Sequence, residues 1–248
     1  MSERNGGAQG LGPTRRELLR GAVGATAAWS MGQTLMASES HAEKSNSGTP
    51  LNSAQQAILK SLMDGNERYV TGNSKHHDFS AMRKDLASGQ QPDTAVIRCA
   101  DSRVAPELIF DQPLGELFVC GVAGNIPTQE IMASIEYAVS NLGTRLIVIM
   151  GHSKCGAVDA TLEYQNKIDS LPGNLPGLLS QLLPSVLKAQ KLPGDTLANA
   201  VKQNAVDAAA RLTKMSVIVD EAVDRGDLGI ASGVYNLSSG RFELNGAG

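Results

Sequence analysis

Arg145-Leu-Ile-Val-Ile-Met-Gly-His-Ser-Lys-Cys155 decides how this chain is read. From Leu146 to Met150 no polar side chain interrupts the run, and Ile147, Val148 and Ile149 are branched at Cβ. So short and so uniformly apolar a run predicts a strand covered on both faces, as in a parallel sheet. Gly151 ends it. His152 and Cys155 then follow at a spacing that lets both side chains reach one ion from a single turn. Thr94-Ala-Val-Ile-Arg98 repeats the pattern earlier in the chain and runs straight into Cys99-Ala-Asp-Ser-Arg103. If both strands share one sheet, Cys99, Asp101, His152 and Cys155 converge at its carboxyl edge, where open parallel sheets place their sites. Thiol, imidazole and carboxylate together make a full set of zinc ligands.

Working outward, Ser53-Ala-Gln-Gln56 reads as a capping box opening a helix with Ile58, Leu62, Asn66 and Tyr69 on one face and Gly72 at its end. A polar loop over 73–80 and a short helix over 81–88 precede the strand at 94–98. A second strand is predicted over 116–122, with Gly124-Asn125 as its turn. Thr128 caps a helix whose buried face is Ile131, Ile135, Ala138, Val139 and Leu142, with Gly143 at its end. A helix over 156–165 follows the strand at 145–150. Pro172, Pro176, Pro184 and Pro193 predict short helices only over 171–194. A longer helical stretch is expected over 195–224, and final strands over 227–236 and 241–244 around Ser238-Ser239-Gly240. Strands alternating with helices predict an α/β fold: one domain with a mostly parallel central sheet flanked by helices.

The composition narrows the function. With 248 residues, 42% of them hydrophobic, the chain can bury one sizeable core. A net charge of −3 and 4% aromatic content supply neither the basic surface nor the stacking platform of a nucleic-acid binder. The amino-terminal region reads as an address. Arg15-Arg16 lies within Thr14-Arg-Arg-Glu-Leu-Leu-Arg20, an Ala/Gly-rich apolar stretch runs to Met36, and Ser40-His-Ala42 offers a small-residue cleavage site. This resembles a twin-arginine export signal over 1–42, followed by a polar linker over 43–50 and a domain over 51–248. The competing reading is a basic tail or an uncleaved anchor. The apolar stretch is short for a membrane span and contains Gln33, so no stable span is expected once the signal is removed. Export by this route predicts an extracytoplasmic, periplasmic protein. Cys99, Cys120 and Cys155 are an odd number for a disulfide framework, and a metal-loaded domain exported folded would shield its thiolates.

The chemistry of the cluster follows from its residue types. Cys99, His152 and Cys155 leave a fourth position for Asp101 or for water, and an open position separates a catalytic zinc site from a structural one. Zinc in such a site brings the pKa of water to about 7, so that hydroxide forms at neutral pH. Arg103 can clamp Asp101 through two parallel bonds, holding it off the metal and aimed at the reacting oxygen. Released, Asp101 could become the fourth ligand and close the site. Elsewhere the plainer readings hold. Cys120 is a small core hydrophobe, His76 and His77 read as solvated loop residues over the alternative of a weak metal site, His41 lies at the cleavage site, Lys154 is a solvated or packing residue beside the site, and Gly121-x-x-Gly124 is too short for a dinucleotide motif.

Taken together, Cys99-Ala-Asp-Ser-Arg-Val104, Pro106-Glu-Leu-Ile-Phe110 and Gly151-His-Ser-Lys-Cys-Gly-Ala157 resemble the β-class carbonic anhydrases. The likeness extends to Gly65-Asn-Glu-Arg-Tyr69, Gly115-Glu-Leu-Phe-Val119, Ala123-Gly-Asn125, Ile135-Glu-Tyr-Ala-Val139, Tyr235-Asn-Leu237 and Gly240-Arg241, from about residue 51 to 244. The resemblance implies reversible hydration of carbon dioxide to bicarbonate, one zinc per subunit on Cys99, His152 and Cys155, and an Asp101–Arg103 dyad. It also implies a homodimer or tetramer with the site near the dimer interface. Gln90, Phe118, Ala123, Tyr137 and Gly156 carry over as substrate-pocket positions, with Gln90 a donor to bicarbonate and Phe118 and Tyr137 lining an apolar pocket. Two alternatives stand beside it: hydrolysis of COS or CS2 on the same fold, and a non-catalytic relative that binds zinc or bicarbonate.

The chain departs from the family in two places. Gly121 stands where many members carry an arginine that some use in a regulatory bicarbonate site, and Val96 stands where those members have tryptophan, so no such inhibitory site is expected. Arg98 stands where small residues are usual. It is expected either to point its charge toward the metal or to point away and pair with an acid on a neighbouring element.

Overall fold

Side chains along β1 (Thr94–Arg98) and β3 (Leu146–His152) divide with period two, as a pleated strand requires. Ala95, Ile97, Ile147 and Ile149 enter one core, whereas Val96, Leu146, Val148 and Met150 enter another on the opposite face. All eight are inaccessible to solvent, so this is a sheet buried on both sides. β2 (Leu117–Gly121) and β4 (Gly229–Tyr235) extend it in parallel, and β5 (Phe242–Leu244) closes it antiparallel, in the order β2-β1-β3-β4-β5. The computed structural model describes residues 50–245. The expected signal over 1–42 and nearly all of the linker lie outside the described residues.

Helices cover both faces. α4 (Gln129–Leu142), α7 (Thr196–Met215) and α8 (Val217–Asp224) bring Met132, Ile135, Ala205, Leu212 and Val219 onto the first core. α1 (Ser53–Val70) and α3 (Pro106–Ile109) bring Leu62 and Ile109 onto the second, where Phe110 meets Phe242 edge-on. A third cluster caps the carboxyl edge. There α5 (Gly156–Tyr164) and α6 (Leu175–Ala189) surround Cys99 and Cys155 with Val158, Leu182 and Val186. No helix among the described residues is long and apolar enough to cross a membrane.

The chain leaves β1 toward β2 on one side and crosses over through α4 to β3 on the other. The order therefore reverses between β1 and β3, and a crevice opens at their carboxyl ends, the usual place for a ligand in such a sheet.

The strands fall where the sequence puts them, within a residue or two. Four expectations are corrected. α6 runs for 15 residues through Pro184. Of the four prolines expected to keep helices short, Pro172 and Pro193 lie outside this helix and Pro176 sits in its first turn, where no intrahelical bond is lost. Pro184 alone costs a bond, and the burial of Leu179, Leu182, Val186 and Ala189 carries the helix past it. The capping box is one residue earlier than expected: Asn52 accepts from Gln55 N–H, and Gln55 returns the bond to Asn52 N–H. The stretch over 195–224 is two helices, because Ser216 adopts an extended conformation and caps the second through Val219 N–H. α2 (Phe79–Leu86) begins two residues early, since Asp78 caps it through Ser80 and Ala81 N–H.

Candidate metal centre at the carboxyl edge of the sheet

Register alone brings the ligands together. Arg98 pairs with Met150, so Cys99, one step beyond β1, stands level with the end of β3 where His152 sits. Cys155 lies at the N-cap of α5. One ligand atom from each of Cys99, His152 and Cys155 lies within 4.8 Å of the others, and all three residues are buried. The two sulfurs are 3.9 Å apart.

The histidine is set up to bind a cation. Its Nδ1 is 3.0 Å from the Ser153 carbonyl, which can only accept, so Nδ1 carries a proton and Nε2 is the ring nitrogen left to serve as a ligand. That Nε2 is buried and has no hydrogen-bond partner among the described residues. An orphaned, buried acceptor facing two thiols is costly unless something positive occupies the space between them. The residues present therefore fit a soft divalent metal.

Backbone donors surround the sulfurs. Gly124 N–H is 3.3 Å from Cys99 Sγ. Gly124 reaches it at φ +76°, and a Cβ there would lie 2.9 Å from Leu182, so only glycine serves. Asn204 holds this turn by donating to the Gly124 carbonyl at 2.8 Å. The start of α5 aims the Val158 and Ala157 N–H groups at Cys155. The Cys155 S–H donates to Cys99 and draws that thiol down to about 4, while the same bond, with burial, pushes Cys155 up.

Asp101 stands beside this cluster with Oδ2 3.9 Å from His152 Nε2. Arg103 donates to it three times: Nε at 2.9 Å and Nη2 at 2.7 Å as a fork, and the backbone N–H at 2.9 Å. The guanidinium hydrogen bonds hold its carboxyl well below the usual carboxylate range. Both Asp101 oxygens are thus engaged by Arg103, the clamped arrangement expected from the spacing.

The remaining predicted positions are less uniform. Phe118 on β2 and Tyr137 on α4 face each other with ring centroids 6.5 Å apart, and Tyr137 is 50% exposed. Ala123 opens the turn that carries Gly124, and Gly156 follows Cys155 as the first residue of α5. Gln90 is exposed on the loop before β1 and makes no hydrogen bond among the described residues. Cys120 is buried as expected, and burial pushes its thiol up to about 11. Lys154 is exposed, at φ +54°. His77 departs from its expected solvated state: its Nε2 lies 3.3 Å from buried Asp111. Arg98 pairs with no carboxylate among the described residues; it lies over Gly121, and its Nη1 donates to the Cys99 carbonyl at 2.7 Å.

The supporting donors Gly124, Ala157 and Val158 and the Ser153 carbonyl acceptor are not visible in the sequence, because a backbone group leaves no mark of its own there. The Gly124-Asn125 turn was the one available signal.

Comparison with known proteins identifies the family. The family model described as carbonic anhydrase matches residues 94–242. Carbonic anhydrase 2 of Mycobacterium tuberculosis is 38% identical over 194 residues, covering 76% of this chain and 91% of the relative. Among solved structures, the β-carbonic anhydrase CcaA is 28% identical with a TM-score of 0.58, over 77% of this chain and 95% of that one. The Coccomyxa β-carbonic anhydrase is 26% identical with a TM-score of 0.60, over 78% and 86%.

Proposed function

The chain belongs to the carbonic anhydrase family, in its β class, and from that premise we propose how its residues carry out the reversible hydration of carbon dioxide. Cys99, His152 and Cys155 hold one zinc ion. The observation that carries this assignment is the buried, unpartnered Nε2 of His152 facing the two thiols. Zinc held there supplies a Lewis acid that makes hydroxide available from water at neutral pH.

The chain's own groups do the rest. Asp101 stays ionised and so accepts a hydrogen bond from the attacking water, orienting a lone pair toward the substrate carbon. Arg103 occupies both carboxylate oxygens and keeps Asp101 out of the ligand set. Phe118 and Tyr137 form an apolar wall suited to a small linear molecule without a dipole, and Ala123 and Gly156 leave room beside the ligands. Gln90 is assigned to bicarbonate as a donor. Water adds across one C=O bond, bicarbonate leaves, and one proton passes to solvent.

The functional unit is a homodimer or a tetramer built from it. β2 is an edge strand of Leu117, Phe118, Val119, Cys120 and Gly121, with no charge or proline to blunt it, and its outer edge has no partner among the described residues. Partly buried Phe118 and half-exposed Tyr137 lie beside that edge, so a second copy pairing there would also enclose the pocket wall. Arg15-Arg16, the Ala/Gly-rich apolar stretch to Met36 and the small residues Ser40-His-Ala42 support 1–42 as a removable twin-arginine signal, with 43–50 as linker and an extracytoplasmic destination.

The test is stopped-flow hydration of carbon dioxide by the zinc-loaded protein, run beside COS and CS2 hydrolysis. Fast hydration, lost on chelation and restored by zinc, is expected. A zinc-loaded protein inactive on carbon dioxide but active on the sulfur compounds, or inactive on all three between pH 6 and 9, contradicts the assignment. Mass spectrometry of the exported product should find its amino terminus close to residue 43.

A further inference from the structure

Arg98 ends β1 beside Gly121, which ends β2, and the two are direct partners in the parallel register. Because Gly121 has no side chain, the guanidinium lies across it. A Cβ at 121 would come within 3.2 Å of Arg98 Cζ, 3.4 Å of Nε and 3.5 Å of Nη1. The side chain then turns back, and Nη1 donates to the carbonyl of Cys99 at 2.7 Å. Nε is buried with no acceptor among the described residues. Leaving a guanidinium nitrogen dry and unpaired is unfavourable, so the placement must be held by what the rest of the group gains.

The gain is at the end of the strand. Val122 N–H donates to the Arg98 carbonyl at 3.2 Å, and Ala100 N–H donates to the Val122 carbonyl at 3.1 Å. The next carbonyl, that of Cys99, has no backbone donor among the described residues, and Arg98 supplies one. The Cys99–Ala100 peptide is therefore gripped on both sides: its N–H by β2's continuation, its C=O by Arg98. It joins the Cys99 thiol to the segment bearing Asp101.

We propose that Arg98 is a positioning residue for the metal centre, seated on Gly121, and that it clamps the Cys99–Ala100 peptide so that the Cys99 thiol and the Asp101 carboxylate keep their places relative to His152 and Cys155. The role is geometric. It requires the planar reach of Nη1, which a lysine with the same charge lacks. Gly121 and Arg98 act as one unit, since a Cβ at 121 already crowds the guanidinium at 3.2 Å and the branched carbons of a valine would fill its seat. The inference rests on the reading that these ligands hold a metal.

The experiment compares the full chain with Arg98→Ala, Arg98→Lys, Gly121→Val and the double variant Arg98→Ala/Gly121→Val. Zinc affinity is read by chelator competition, and the thiolate-to-metal charge-transfer band is read after cobalt(II) loading. Changes to groups supporting metal ligands typically cost 10–100-fold in affinity, so about a tenfold loss and a shifted cobalt band are expected for each single variant, arginine-to-lysine included. The double variant should be no worse than Arg98→Ala. Wild-type affinity and spectrum in Arg98→Ala, full rescue by lysine, or an additive loss in the double variant would each overturn the proposal. Amide hydrogen exchange at Ala100 in the metal-free protein tests the clamp independently of any metal. Exchange should quicken in both single variants at 98 and 121 and go no faster in the double. If the unaltered chain takes up no metal, the metal reading fails by itself, and unchanged Ala100 exchange in the variants would overturn the clamp separately.

Discussion

Asp111 and Asp101 are each held by an arginine, and on the proposed mechanism they do opposite jobs. Asp111 is buried, with 2% of its side chain exposed, and draws its partners from far along the chain: Arg68 Nε at 2.5 Å, the Lys75 N–H at 3.1 Å and His77 at 3.3 Å. Asp101 is 17% exposed, and all its donors come from Arg103, two residues on and itself 56% exposed. The first arrangement ties α1 and the loop after it to the segment following α3, so it holds the fold together. The second costs the fold almost nothing to set up and leaves one flank of the carboxylate beside His152. On the proposed mechanism, one ion-pair chemistry serves stability where distant segments meet and reactivity where a single turn meets the candidate metal site.

Substitution should separate the two. Asp101→Asn is expected to lower kcat for carbon dioxide hydration by roughly 100- to 1,000-fold, the range for a lost proton-handling group, with zinc content and urea midpoint unchanged. A protein that loses its zinc instead would assign Asp101 to the ligand set. Asp111→Asn should do the reverse. Urea unfolding should show a loss of about 2–3 kcal/mol, while activity per folded molecule stays at wild type.

Acid sharpens the same contrast. Burial by itself would raise Asp111, but Arg68, the Lys75 N–H and His77 outweigh it and hold the carboxyl below its ordinary value. Its contribution is therefore fully present above the ordinary carboxylate pKa and drains away as pH falls through the lower folded value. Urea midpoints measured from pH 6 downward should fall steeply in the acid range for the wild type and less steeply for Asp111→Asn. Parallel curves would remove Asp111 from this account. Arg103→Ala should cost about tenfold in turnover and less in zinc content, read by stopped flow and metal analysis on one sample. Cys120→Ser should cost under about 1 kcal/mol and leave turnover unchanged, since Cys120 touches neither pair.

The contrast also marks how far sequence alone reaches. Thr94–Arg98 and Leu146–Met150 announced buried parallel strands because their apolar runs match what a doubly covered sheet demands, and the ligands follow those runs directly. Asp101–Arg103 was legible for the same reason, being local. Asp111 was not, because its partners lie 34 to 43 residues away and nothing in the string links His77 to it. Pro184 misled because its helix is held by burial against neighbouring elements, not by propensity. Arg98 could be flagged but not placed, since its seat is a glycine on another strand. Local chemistry shows in the sequence, and chemistry made by register or tertiary contact waits for the structure.

On the proposed mechanism Cys99, His152 and Cys155 grip one zinc while Asp101, clamped by Arg103, stays outside the ligand set. Zinc-edge X-ray absorption on active enzyme at neutral pH reads that ligand set. One zinc per chain is expected, with two sulfur neighbours at about 2.3 Å and the remaining nitrogen or oxygen neighbours at about 2.0 Å, unchanged in Asp101→Asn. Zinc with no sulfur neighbours, or a first shell that changes when Asp101 is replaced, would contradict it.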